Sequence, residues 1–173
     1  MIGCLAACGG GAASSSAAEP TLEPAGSEVA AAERPGPTAE VKHAEALLGA
    51  GNVKEAERVL RDVVARERDN ARAWYDLGLV LEAREAFDDA RGAYERAVAL
   101  KPDFPEALSN LGLLLRDAGD LPAAIARFEQ AARADATFAP AYANLALCLE
   151  ANGDAEGALT AYSKALELDP SDA

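Results

Sequence analysis

Residues 71–104, ARAWYDLGLVLEAREAFDDARGAYERAVALKPDF, return in outline when the chain is shifted by 34 positions, and this self-similarity limits the fold more than any other feature. Trp74, Leu77, Gly78 and Leu81 become Leu108, Leu111, Gly112 and Leu115, then Tyr142, Leu145, Ala146 and Leu149. Ala90, Tyr94 and Ala97 become Ala124, Phe128 and Ala131, then Ala158, Tyr162 and Ala165. Within each set the steps are three or four residues, the period of one helix face. Pro102 and Pro170 stop the second helix of their units. Each unit therefore reads as a helical hairpin.

A repeat of this length with these positions resembles the tetratricopeptide repeat family. The resemblance implies an all-α fold, a right-handed α-solenoid of about four helical hairpins, acting as a non-catalytic scaffold for other proteins. Frames 37–70, 71–104, 105–138 and 139–172 fit the repeat, so the repeat domain is expected over 37–172. The first frame is degenerate, with Glu40, His43 and Ala44 where its neighbours carry large apolar residues and Gly; its second half keeps Ala56, Leu60 and Val63. Atypical terminal units are usual in such arrays, because one face of an end unit meets water. Gly51-Asn52, Gly119-Asp120 and Gly153-Asp154 each offer a permissive backbone followed by an N-cap. Glu85-Ala86 stands in their place in the second repeat and predicts a strained or slack turn. Gly78, Gly112, Ala90, Ala124 and Ala158 are expected at close helix crossings, with Trp74, Tyr94, Phe128, Tyr142 and Tyr162 filling the gaps. Cys148 falls at the repeat position of Ala46, Val80 and Leu114 and is expected to pack as a small hydrophobe. No structural disulfide is expected.

Composition agrees. Half of the residues are apolar but only 5% are aromatic, which suits closely packed helices better than sheets. The net charge of −13 disfavours nucleic acid and anionic lipid head groups, whose recognition needs clustered Lys and Arg. The excess is uneven: 139–172 holds six acids and one base, while 37–70 holds seven and six. Catalytic and metal chemistry find little support. His43 is the only histidine and has no second His or nearby Cys at ligand spacing. There is no Gly-rich phosphate loop or nucleophile elbow, so no cofactor is expected and an enzyme is not.

The N-terminal segment carries a different signal. Leu5-Ala6-Ala7-Cys8 resembles a bacterial lipobox, which implies lipidation of Cys8 and makes residues 1–8 the remnant of a lipoprotein signal. Residues 9–36, rich in Gly, Ser, Ala, Pro and Glu, read as a disordered tether. A secretory signal needs a positive start and about 7–15 apolar residues. Here seven residues precede Cys8 and none is Lys or Arg. Two readings stand. In one, the recorded start lies too far downstream, and the chain is a membrane-anchored lipoprotein on the periplasmic side of a bacterial envelope. In the other, the segment is a disordered tail on a cytoplasmic adaptor. Tetratricopeptide lipoproteins resemble assembly factors of the envelope, including pilotins that escort secretin subunits.

The resemblance also implies a site. First helices of successive hairpins line a concave groove that holds a peptide or helix of a protein partner. The residues expected there are Tyr75, Leu79, Ser109, Asn110, Leu113, Arg116, Asn144 and Leu147, with Leu79, Leu113 and Leu147 forming an apolar ladder. The same leucines could instead pack between hairpins. Some members of the family grip the acidic tails of chaperones with a two-carboxylate clamp. This chain departs from that pattern, carrying Val41, Glu45, Tyr75, Ala143 and Leu147 where Lys and Arg would be sought. Lastly, Leu159 and Leu166 on the final helix, with Ala165 near their edge, are expected to be partly exposed. Such a patch can serve self-association, dock a partner's helix, or simply be tolerated. An accessory subunit of an enzyme complex is the remaining class of function.

Overall fold

The computed structural model describes residues 37–170. Among them run eight helices and no strand: α1 (Pro37–Gly49), α2 (Val53–Arg66), α3 (Ala71–Glu82), α4 (Phe87–Leu100), α5 (Pro105–Asp117), α6 (Leu121–Ala134), α7 (Ala139–Ala151) and α8 (Ala155–Leu168). Consecutive helices pack as the pairs α1–α2, α3–α4, α5–α6 and α7–α8, and each pair packs on the next. The result is an all-α solenoid in which every 34-residue frame contributes one hairpin. Residues 1–36, with the lipobox and tether, lie outside the described residues, as do 171–173.

Local chemistry explains the helix boundaries. Inside three of the hairpins a glycine in the left-handed region ends the first helix: Gly51 at φ 77°, Gly119 at 84° and Gly153 at 85°. Glu85 takes the same place at φ 60°, a conformation in which its Cβ crowds the backbone, so the expected strained turn is present. Asp120 and Asp154 then cap the second helices, accepting from Ala123 N at 3.1 Å and Gly157 N at 3.0 Å. Asn52 does not follow them, since its side chain makes no capping bond. Between hairpins, Asn70 caps α3 by accepting from Ala73 N at 3.0 Å. Proline opens α5, α6 and α7 within the first turn, where the missing N–H costs nothing.

The core is built where the sequence repeats. Tyr94 and Phe128 are both 0% exposed. Each lies against a glycine on the partner helix, Tyr94 on Gly78 and Phe128 on Gly112. A Cβ on Gly112 would sit 2.7 Å from Phe128 Cε1, closer than atoms can approach without a shift. Trp74 is half-buried and donates its indole N–H to Arg68 O at 3.1 Å, tying α3 to the end of the preceding hairpin. Cys148 is buried and unbridged, packed with Ala124 and Phe128. Its repeat equivalents Val80 and Leu114 are also buried, but Ala46 is exposed because no described helix precedes α1. The degenerate first frame is held by charge as well as packing: Glu40 pairs with Arg66 across α1 and α2. Glu57, nearly buried, pairs with Arg61 and with Arg84 of the next hairpin.

Candidate protein-binding surface

Two pairs of first helices of neighbouring hairpins lie side by side, α1 against α3 and α5 against α7. The predicted groove residues occupy these helices, but the structure gives them three different fates.

The N-terminal part of the surface is closed by its own side chains. Tyr75 is half-buried, its ring 4.9 Å from Phe104 and 5.9 Å from Tyr94, with the Arg72 guanidinium 5.4 Å above it. Burial raises the Tyr75 phenol above its usual range. Leu79 packs partly against the core of the first two hairpins. Beside them Arg72 donates to both carboxylate oxygens of Asp76 at 3.0 Å and to Glu45 of α1 at 2.5 Å. Asp76 is 3% exposed, and burial pushes its carboxyl up to about 6 although Arg72 opposes the shift. The cations and aromatic rings here are committed to one another. No buried side-chain polar atom lacks a partner among the described residues.

In the middle, Ser109 is 4% exposed and sits among buried side chains of α5, so it is packing rather than contact surface. That corrects its place in the predicted set. Asn110 is half-buried and donates to Tyr94 Oη at 3.4 Å, while Tyr94 donates to Glu82 at 2.7 Å. This bond joins α5 to the preceding hairpin, so Asn110 works inside the stack. Leu113 packs partly with Phe128 and Cys148, and Arg116 is half-buried and paired with Asp117 at 2.8 Å.

The C-terminal part is open. Leu147 is 47% exposed. It lines a cavity of about 440 Å³ with Ala143, Asn144, Tyr162 and Leu166. Leu166 is 43% exposed and Leu159 is exposed further still. Tyr162 donates to Glu150 at 2.9 Å, which repeats the Tyr94–Glu82 bond, but no described helix lies over it. Sequence reasoning placed Leu147 and Asn144 on the surface but missed Tyr162, because it was assigned to gap-filling like Tyr94. Among the described residues Tyr162 is set apart from Tyr94 and Phe128 by having no following helix against it, which residue type alone does not reveal.

Among the described residues no cluster of three or more His, Cys, Asp or Glu could hold a metal ion. No described helix is long and apolar enough to cross a membrane. The surface therefore offers apolar contact, amide donors and carboxylates, the ingredients of polypeptide recognition.

Comparison with known proteins agrees with this geometry. The family model described as "Tetratricopeptide repeat" matches residues 41–105 and 109–173. A crystal structure of MamA is similar, with a TM-score of 0.72 and 26% identity over 79% of this chain and 80% of that one. MamA from Desulfovibrio magneticus RS-1 is similar at a TM-score of 0.68 and 24% identity, covering 78% of this chain and 76% of its own. PilF of Pseudomonas aeruginosa reaches a TM-score of 0.71 at 22% identity, covering 78% of this chain but 61% of its own. No curated protein sequence matches the chain. The repeat spacing, the four stacked hairpins and the family match coincide, and the chain belongs to the tetratricopeptide repeat family, whose members generally serve as protein-binding scaffolds rather than catalysts.

Proposed function

We propose that this protein is a scaffold that holds a peptide or helix of a partner protein on the first-helix face of its last two hairpins. One observation carries the reading: the leucine ladder is partly buried at Leu79 and Leu113 but stands 47% exposed at Leu147, beside the amide of Asn144. An exposed apolar side chain lining a cavity with a polar neighbour can take an apolar side chain and orient its backbone. The surrounding frame holds six acids and one base, which favours a segment with Lys or Arg flanking its apolar anchor.

The anchor belongs to the same proposal. Leu5-Ala6-Ala7-Cys8 followed by a Gly/Ser/Ala/Pro/Glu segment supports a lipoprotein tethered through Cys8 on the periplasmic side of a bacterial envelope. There it would assist assembly of an envelope complex in the manner of a pilotin. The rival readings are a cytoplasmic adaptor and an accessory subunit of an enzyme complex.

Two experiments test these parts separately. Selection from a random peptide library should enrich segments whose binding falls about tenfold with Leu147→Glu and is unchanged by Lys54→Glu, far from the ladder. Equal binding by both variants would remove the ladder as the site. Leu147→Glu is the cleaner probe than Leu113→Glu, because Leu113 also packs on Phe128 and its loss would lower stability. For the anchor, intact mass and membrane fractionation of the natively expressed protein should show an acylated species beginning at Cys8 that Cys8→Ser abolishes. A soluble product beginning at Met1 would favour the cytoplasmic adaptor.

A further inference from the structure

We propose that the face of α7 and α8 binds the outward face of α1 from a second copy of this chain, head to tail. This inference does not rest on the peptide-binding reading. It begins from the junctions the molecule already contains. In the junction between the third and fourth hairpins, Ala141 packs with Leu108 and Ala131, and Cys148 packs with Ala124 and Phe128. Leu113 and Ile125 lie against the same cluster. In the junction before it, Asn110 reaches Tyr94 Oη, which in turn holds Glu82. The docking helices α5 and α7 thus present a small residue (Ala107, Ala141), an amide (Asn110, Asn144) and a second small or apolar residue (Leu114, Cys148) at fixed places in the repeat, while α3 has Asp76 at the amide place.

Shifting those places by whole repeats leads to both ends of the described solenoid. Ala39, Lys42 and Ala46 of α1 stand where α7 has Ala141, Asn144 and Cys148, and all three are exposed. At the other end Ala165 and Tyr162 stand where Ala131 and Phe128 are covered, and Leu147 and Leu159 stand where Leu113 and Ile125 are partly buried. Both leucines are exposed there. Tyr162 already holds Glu150 in the arrangement that Asn110 completes at Tyr94. If the repeat register is continued across two molecules, Ala39 falls on Ala165, Ala46 on the Tyr162 ring, and Lys42 toward Tyr162 Oη and Glu150.

Charge selects this occupant. The two acids of α1, Glu40 and Glu45, are taken by Arg66 and Arg72. Lys42 enters no ion pair among the described residues, and it would meet a carboxylate where the junction between the second and third hairpins uses the neutral amide of Asn110. The small Ala39 and Ala46 raise no steric objection to the approach. A contact between different faces of identical chains does not close on itself by symmetry, so it should build open chains or a ring rather than a two-fold dimer.

Sedimentation velocity of the full chain over a concentration series tests the inference. The expected result is a mass that rises with concentration past the dimer. Lys42→Glu and Glu150→Lys should each weaken self-affinity about tenfold or more, and the double swap should recover most of the loss. Both positions are exposed, and unchanged helicity would confirm that the variants fold. Leu166→Glu, on the same face but uncharged in the parent, should weaken association without rescue by either swap. A chain monomeric at every concentration would overturn the proposal, leaving the face to a foreign helix or to water. Association indifferent to Lys42→Glu, or unrecovered in the double swap, would overturn it equally.

Discussion

Phe128 and Tyr162 hold the same place in consecutive hairpins, yet one is sealed and the other stands half open. Both are aromatic, both lie on the second helix of a pair, and the repeat position that faces Phe128 on the first helix, Gly112, is Ala146 in the hairpin of Tyr162. The difference comes from outside the hairpin. Phe128 is closed by Cys148 and its neighbours on α7, whereas no described helix stands over Tyr162. Within a solenoid, burial at a repeat position is a property of the junction rather than of the residue. The Phe128 ring, closed on its outer side, leaves no space for a Cβ at Gly112.

The largest effect expected from breaking this comparison is at the closed ring. Phe128→Ala should cost about 4 kcal/mol in denaturant unfolding, the usual loss for a fully buried aromatic. Tyr162→Ala should cost about 1 kcal/mol, because less area returns to water. Equal losses would mean that α8 packs more tightly than the exposure of its neighbours indicates. Gly112→Leu comes next. It should lower stability by about 3 kcal/mol, since Phe128 has nowhere to retreat. Ala146→Leu should cost less, as Tyr162 can move toward solvent. Thermal melts that coincide with the parent would show that the hairpin crossing is looser than described.

A smaller effect of opposite sign is expected in the second hairpin. Glu85→Gly should stabilise the fold by about 1 kcal/mol, because glycine adopts φ 60° without the Cβ penalty. Replacing Gly119 by Glu would make the converse comparison. The smallest effect concerns Asp76. Its carboxyl is raised from the usual range to about 6, chiefly by burial. The folded state therefore holds this proton more tightly than the unfolded chain does. Stability from this group rises as pH falls from 7 toward 5 and is lost as pH climbs through about 6. Asp76→Asn should flatten that part of the profile in a series of chemical melts between pH 5 and 7. An unchanged slope would show that the Arg72 ion pair outweighs the burial.

Much of the fold was legible because each hairpin repeats the same local instructions. The spacing of Trp74, Leu77, Gly78 and Leu81 marks a helix face, Gly119-Asp120 marks a turn and a cap, and the period multiplies them. The strain at Glu85 was legible too, because the glycine it replaces is present in the other three frames. The capping role of Asn52 was overestimated, since a residue type permits a side-chain bond but its rotamer and backbone angle determine whether one forms. Ser109 was misplaced for a related reason. Helical periodicity gives the direction of a side chain around its own axis, and the neighbouring helices determine whether that direction meets water.

What the sequence by itself determined is the repeat: its 34-residue length, the helices and turns inside it, and the small and aromatic residues that must meet across each crossing. These follow from forces acting over a few residues, so they are written locally and recur wherever the pattern does. Only the tertiary structure decided which parts of the leucine ladder are free. Arg72, Asp76, Glu45 and Tyr75 close one end through contacts between hairpins, and Leu147, Tyr162 and Leu166 remain open at the other. Exposure depends on which surfaces a neighbouring hairpin removes from water, and that is settled by packing between segments far apart in the chain.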